Sequence, residues 1–97
     1  MLQANATVTT PDGARYRKQL ASHLGRKNAV ESVGDDVEEL VFDYGRCSMS
    51  VDPTSGALEL VAKAPTDEDL EHVKRVMKSH FERFARNTDL VVDWDDA

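Results

Sequence analysis

Leu70, Val73, Met77, Phe81 and Phe84 recur at spacings of three, four, four and three residues. That pattern draws one apolar stripe along a helix of about five turns, and the stripe needs a second layer to cover it. The helix opens on Thr66-Asp67-Glu68-Asp69, a capping hydroxyl followed by three acids where the helix dipole favours negative charge. A shorter stripe, Tyr16, Leu20 and Leu24, predicts another helix. Thr10 is placed as its N-cap, with Pro11 at the first helical position and an end near Leu24. Gly25 is expected in the left-handed conformation just beyond.

The rest of the chain alternates with a period of two, the signature of half-buried strands. Ala4, Ala6 and Val8 face inward on a first strand. A weaker strand spans Ala29 to Val33. Leu40 and Phe42 lead through the turn Asp43-Tyr44-Gly45 to Cys47, Met49 and Val51. Asp52-Pro53-Thr54-Ser55-Gly56 is a dense turn signal, followed by a strand with Leu58, Leu60 and Ala62 inward. A last strand is expected over Leu90–Trp94, with Leu90, Val92 and Trp94 inward. The predicted order is β-α-β-β-β-β-α-β in one α+β domain spanning residues 1–97. It forms a two-layer sandwich, a mostly antiparallel sheet with both helices on one face. The open face is expected to carry Thr7, Val41, Ser48, Ser50, Glu59, Val61, Val91 and Asp93.

Several classes of function are excluded or disfavoured. No run approaches the roughly twenty apolar residues of a membrane span. Met1–Asn5 has neither the basic flank nor the apolar stretch of a secretory leader. One cysteine, Cys47, forms no internal disulfide and no paired-cysteine zinc site, so a reduced, cytoplasmic protein is expected. A net charge of −6 argues against bulk binding to nucleic acid. That charge is unevenly spread. Residues 11–27 hold five basic groups and a single acid, and residues 31–69 hold eleven acids against Arg46 and Lys63. The later helix turns basic again at Lys74, Arg75, Lys78, Arg83 and Arg86. The helical layer is therefore expected to be the positive one, suited to a small anionic ligand.

Four blocks carry a resemblance: Ala14–Lys27, Phe42–Cys47, His80-Phe81-Glu82-Arg83-Phe84, and Leu90–Trp94. Together they resemble the bacterial family catalogued as domain of unknown function 2218, in that family's order and over nearly the whole chain. The resemblance brings no catalytic residue or ligand to carry over. It implies a small bacterial α+β module, sometimes encoded beside or fused to siderophore-utilisation and iron-uptake proteins. The predicted order also looks like the architecture of TATA-box-binding-protein-like folds.

His23 sits about 60° to one side of Leu20, and His80 about 60° to the same side of Met77. Both occupy the shoulder of an apolar stripe, so antiparallel helices would turn these shoulders either toward each other or both outward. In the first case the imidazoles share an inter-helix groove. With the inward thiol of Cys47 they would make an N/N/S set suited to zinc, copper or iron, or an axial haem ligand; border histidines hydrogen-bonded to their neighbours are the simpler reading. His72 lies too far from His80 along the helix to share a metal with it. Asp93, Asp95 and Asp96 lack the glycine and distal glutamate of a calcium loop, and Cys47 reads as a buried small hydrophobe rather than a nucleophile.

The sequence thus supports a non-catalytic binding or accessory module. His23, His80, Arg15, Lys18, Lys27 and Arg83 are its candidate ligand-binding residues, and a small anion or an iron-uptake protein is its partner. No cofactor is specified. Two alternatives stay open: a self-associating domain, such as a homodimer, using a patch of Val41, Val61 and Val91, and a small enzyme with His23 or His80 as acid or base.

Overall fold

The structure, a computed structural model, describes residues 1–34 and 37–95. Seven elements follow one another: β1 (Leu2–Val8), α1 (Gly13–Leu24), β2 (Ala29–Gly34), β3 (Val37–Phe42), β4 (Gly45–Val51), β5 (Leu58–Ala64) and α2 (Asp67–Phe84). The strands form one antiparallel sheet in the order β1-β5-β4-β3-β2. Successive strands from β2 to β5 are neighbours, and β1 closes onto β5. Both helices lie on one face, α1 against β3, β4 and β5 and α2 against β1, β4 and β5. This is the α+β two-layer sandwich that the alternation and the two stripes predict.

The core lies between these layers. Ala4, Ala6, Val8, Leu40, Phe42, Cys47, Met49, Leu58, Leu60 and Ala62 come from the sheet, and Tyr16, Leu20, Leu24, Leu70, Val73, Met77 and Phe81 from the helices. Every residue of the α2 stripe is buried except Phe84, which packs at its margin. Thr66 caps α2 as expected, its Oγ1 accepting the Asp69 amide at 3.2 Å.

Three expectations about chain ends are corrected. First, α1 begins at Gly13, with Asp12 rather than Thr10 at the N-cap. Thr10 Oγ1 instead accepts the Asp12 amide at 3.1 Å, a local turn that competes with helix. The helix start is then docked on the β4–β5 turn, where the Gly13 amide donates to the Gly56 carbonyl at 2.9 Å. A Cβ on Gly13 would lie 2.2 Å from that oxygen, and Gly56 itself has φ +81°. Both glycines are required by this contact. Second, Gly25 is right-handed, with φ −68°, so no left-handed cap forms. The Val30 side chain comes within 2.9 Å of where a Cβ of Gly25 would stand, and close packing accounts for the glycine.

Third, Leu90–Trp94 is not a strand. The segment meets the sheet only through a bridge between Asp95 and Asn5 at the β1 edge. Three of its polar groups bond to α2 instead. Lys78 Nζ donates to the Val92 carbonyl at 3.0 Å, the Val92 amide donates to Glu82 Oε2 at 3.3 Å, and Trp94 Nε1 donates to the Lys74 carbonyl at 3.2 Å. A backbone bonded to helix side chains has no ladder to make. Val92 is buried in the core, and Leu90 and Trp94 pack beside it, so the expected inward set is right although the pairing is not.

The open face of the sheet is polar. One row across it reads Asn5, Val61, Ser48, Glu39, Glu31, and the next Gln3, Lys63, Arg46, Val41, Ala29. Val41 and Val61 thus stand two strands apart with β4 between them, and Val91 belongs to the segment on α2. The expected valine patch does not assemble. At its centre Arg46 Nη1 instead reaches Glu39 Oε1 at 3.0 Å.

Candidate functional site

The end of α1 meets the last turns of α2, and the sequence places imidazoles at that junction from both sides. Tyr16 packs on Phe81 with ring centroids 5.0 Å apart, which sets how the two helices cross. His23 then faces His80 at 5.3 Å between centroids, with the rings tilted by 46°. The shoulders predicted from the stripes therefore do turn toward each other. Each ring is held. His80 Nδ1 lies 2.8 Å from the Val76 carbonyl one turn back, so the proton sits on Nδ1 and leaves Nε2 free to accept. His23 meets the Phe84 ring edge-on at 5.6 Å and 84°, an arrangement aromatic rings favour.

The histidines form one wall of a cleft of about 230 Å³, completed by Leu24, Arg26, Lys27 and Asn28. A more open depression of about 270 Å³ adjoins it, sharing His23 and Arg26 and adding Lys18, Gln19, Ser22 and Phe84. Asn28 Nδ2 donates to the Leu24 carbonyl at 2.9 Å, which also accepts the Lys27 amide at 3.3 Å at the end of α1. The Asn28 bond curls the chain so that Arg26 and Lys27 stand at the cleft mouth. Both are exposed. Among the described residues neither takes part in an ion pair, whereas the Arg17, Arg46, Lys74 and Lys78 side chains each meet a carboxylate.

Of the six residues predicted to bind ligand, four converge here: His23, His80 and Lys27 on the cleft and Lys18 on the adjoining depression. Arg15 does not. It lies near the start of α1, 3.8 Å from Asp12 and 5.1 Å over the Tyr16 ring. Arg83 is exposed on α2 and lines neither hollow. Arg26 and Asn28 were not among the sequence candidates. A helix that ends on a glycine and is followed by Arg-Lys-Asn was the available signal, since the three residues after the helix turn back over its last carbonyls.

The N/N/S metal set is not assembled. Cys47 is fully buried in the sheet layer between Leu40 and Ala62, and its Sγ lies 3.6 Å from the Ser48 carbonyl. Burial, against a smaller opposing effect of a backbone hydrogen bond at Val61 and with a lesser push from the Glu39 carboxylate, raises its thiol pKa well above the ordinary value, the opposite of what a ligand or nucleophile needs. Among the described residues no three His, Cys, Asp or Glu side chains group closely enough to hold a metal ion. Asp96, one of the three terminal acids considered, lies outside the described residues, and Asp95 is engaged through its backbone with Asn5. His72 belongs to a different feature: it stacks on Tyr44 at 3.7 Å, which in turn stacks on Phe42 at 5.3 Å, fastening the β3–β4 turn to α2. No helix among the described residues is long and apolar enough to cross a membrane.

Comparison with known proteins agrees with this architecture. The family described as "Uncharacterized protein conserved in bacteria", domain of unknown function 2218, matches residues 5–95. Among solved structures, the chain is similar to the NMR structure of PA4090 from Pseudomonas aeruginosa, with a TM-score of 0.78 and 25% identity. The match covers 100% of this chain and 98% of that one. A search among curated proteins finds no match.

Proposed function

The chain belongs to the bacterial family of domain of unknown function 2218, and from that footing we propose that it is a small non-catalytic binding module whose ligand is an anion held in the inter-helix cleft. One observation carries the reading: His23, His80, Arg26, Lys27 and the Asn28 side chain converge on a single cleft that has no carboxylate among the described residues lining it. Such a site offers cationic and hydrogen-bonding donors to phosphate or carboxylate oxygens. The cleft is small, so the ligand enters it by a carboxylate or phosphate end. Within this reading, an iron-loaded or otherwise anionic siderophore is the ligand suggested by the family's iron-uptake neighbours, and the cytoplasm is its place of action.

Thermal melting tests the proposal with citrate, inorganic phosphate and a ferric hydroxamate siderophore as separate probes. A ligand present at ten times its dissociation constant stabilises the fold by about 1.4 kcal/mol. In a domain of this length that raises the melting temperature by roughly 6–11 °C. The rise is expected to disappear in Arg26→Glu and Lys27→Glu, whose exposed positions leave the fold alone. No rise with any of the three probes would sink the proposal.

A further inference from the structure

We infer that His23 and His80 form a two-histidine site for a borderline divalent transition metal of the zinc or nickel class, its remaining positions filled by the oxygen atoms of the bound anion. The inference rests on the anion-binding reading for that second ligand, and on independent geometry for the first.

The spacing is the first observation. With metal–nitrogen bonds of about 2.0–2.1 Å and ring centres about 1.1 Å behind the nitrogen, two imidazoles at a tetrahedral angle hold their centroids about 5.2 Å apart. His23 and His80 stand at 5.3 Å. The 46° tilt keeps the rings out of a face-to-face stack, which would set their nitrogen edges side by side rather than converging. The second observation is how His80 is fixed. A metal-ligating imidazole usually donates its other N–H to a carbonyl or carboxylate, which sets the tautomer and aims the free nitrogen. His80 does this to Val76 at 2.8 Å. His23 packs at right angles to the Phe84 ring, with centroids 5.6 Å apart, which limits how its imidazole turns.

The ligand class follows from charge. Among the described residues no third His, Cys, Asp or Glu side chain completes the site, and Arg26 and Lys27 stand at its mouth. A bare dication beside two side-chain cations is electrostatically disfavoured. One that carries carboxylate or phosphate oxygens is not, and the same two cations then bind the anion. The paired imidazoles choose the metal and the basic pair chooses what comes with it.

The test is a titration of the chelator-treated full chain with zinc chloride in a non-coordinating buffer containing equimolar citrate as the accompanying anion, following the ring proton resonances of all three histidines by NMR. One equivalent is expected to move His23 and His80 together and to leave His72, stacked on Tyr44, in place. His80→Ala and His23→Gln are each expected to weaken zinc binding at least about tenfold, with His72→Ala unchanged. Equal movement of His72, or movement of neither cleft histidine, would overturn the inference, and the wild-type spectra decide this even if a variant misfolds. Citrate without metal, added to a parallel sample, addresses the anion reading alone. Shifts of the Arg26 and Lys27 amides there uphold that reading whether or not zinc binds, and their absence removes it whether or not the histidines hold zinc.

Discussion

The α2 helix carries charged and polar side chains to two different neighbours, and the contrast between them separates a structural contact from a binding site. At the C-terminal segment, Lys74 pairs with Glu71 at 2.9 Å and Lys78 with Glu82 at 2.7 Å. Lys78 and Glu82 also bond the Val92 carbonyl and amide, and the Trp94 indole donates to the Lys74 carbonyl. Charge there is matched by charge, and a strap of extended chain is latched to the helix. At the end of α1 the polar groups are as dense, but the cations have no carboxylate among the described residues that line the cleft. An internally satisfied cluster has little left to offer a ligand. A cluster of one sign is held apart by its own repulsion and is relieved by a counter-ion.

The largest expected effect comes from the core packing between the two helices. Phe81 is fully buried, with Tyr16 against one side of it, and Phe81→Ala is expected to cost about 3–5 kcal/mol of unfolding free energy. Urea denaturation reads this directly. The comparison sharpens if zinc and citrate binding fall with it, because the cleft depends on the helix crossing that Phe81 sets. Retained binding in the folded fraction would mean that the crossing is set elsewhere.

A smaller loss is expected from unlatching the strap. Trp94 is only half-buried, so Trp94→Ala is expected to cost about 2 kcal/mol, less than a fully enclosed aromatic, with binding in the cleft unaffected. Loss of binding in that variant would show the two regions to be coupled and would break the contrast drawn above.

The latch also has a pH signature. The hydrogen bond from Lys78 is the main cause that lowers the Glu82 pKa from its ordinary 4.5, and the Val92 amide adds to it. A carboxylate depressed in the folded state contributes stability that is present above the unfolded value and is lost as pH falls through the folded one. Melting temperature should therefore fall below about pH 4.5 more steeply in the native chain than in Glu82→Gln. Parallel acid limbs would show that the latch contributes nothing through this ion pair.

The two regions also differ in how far the sequence announces them. Stripe geometry narrowed His23 and His80 to two arrangements, facing each other or both outward, because the position of a side chain around a helix follows from its offset to buried residues that are themselves recognisable; the structure shows the first. The same reasoning placed Cys47 in the core and the open face on the alternate residues of each strand. It failed at Leu90–Trp94, where alternation correctly marks Val92 as inward but carries no information about what bonds the backbone. The competing partners, Lys78 and Glu82, are on a helix ten or more residues earlier. It failed again at Thr10-Pro11, where two local signals for a helix start lost to a contact with Gly56 more than forty residues away. Arg26 and Asn28 escaped notice for a related reason: their placement depends on the Asn28 bond to Leu24, which a periodicity cannot express. Arg15 was included on charge alone, and its position near the start of α1 puts it away from the cleft.

The smallest expected change in stability is the most informative about function. Arg26 and Lys27 are exposed and make no ion pair among the described residues, so reversing either charge should alter unfolding free energy by no more than about 0.5 kcal/mol. The sign is itself informative. If the two cations repel each other, Lys27→Glu relieves that repulsion and the unliganded protein becomes slightly more stable in low salt. The gain should shrink as salt is raised to about 0.15 M, where the screening length is near 8 Å. The same substitution should abolish stabilisation by citrate. Higher stability with lost binding identifies a group kept at some cost to the fold for the sake of a ligand. A loss of stability instead would mean that Lys27 serves the fold as Lys78 does, and the cleft would then belong with the latch.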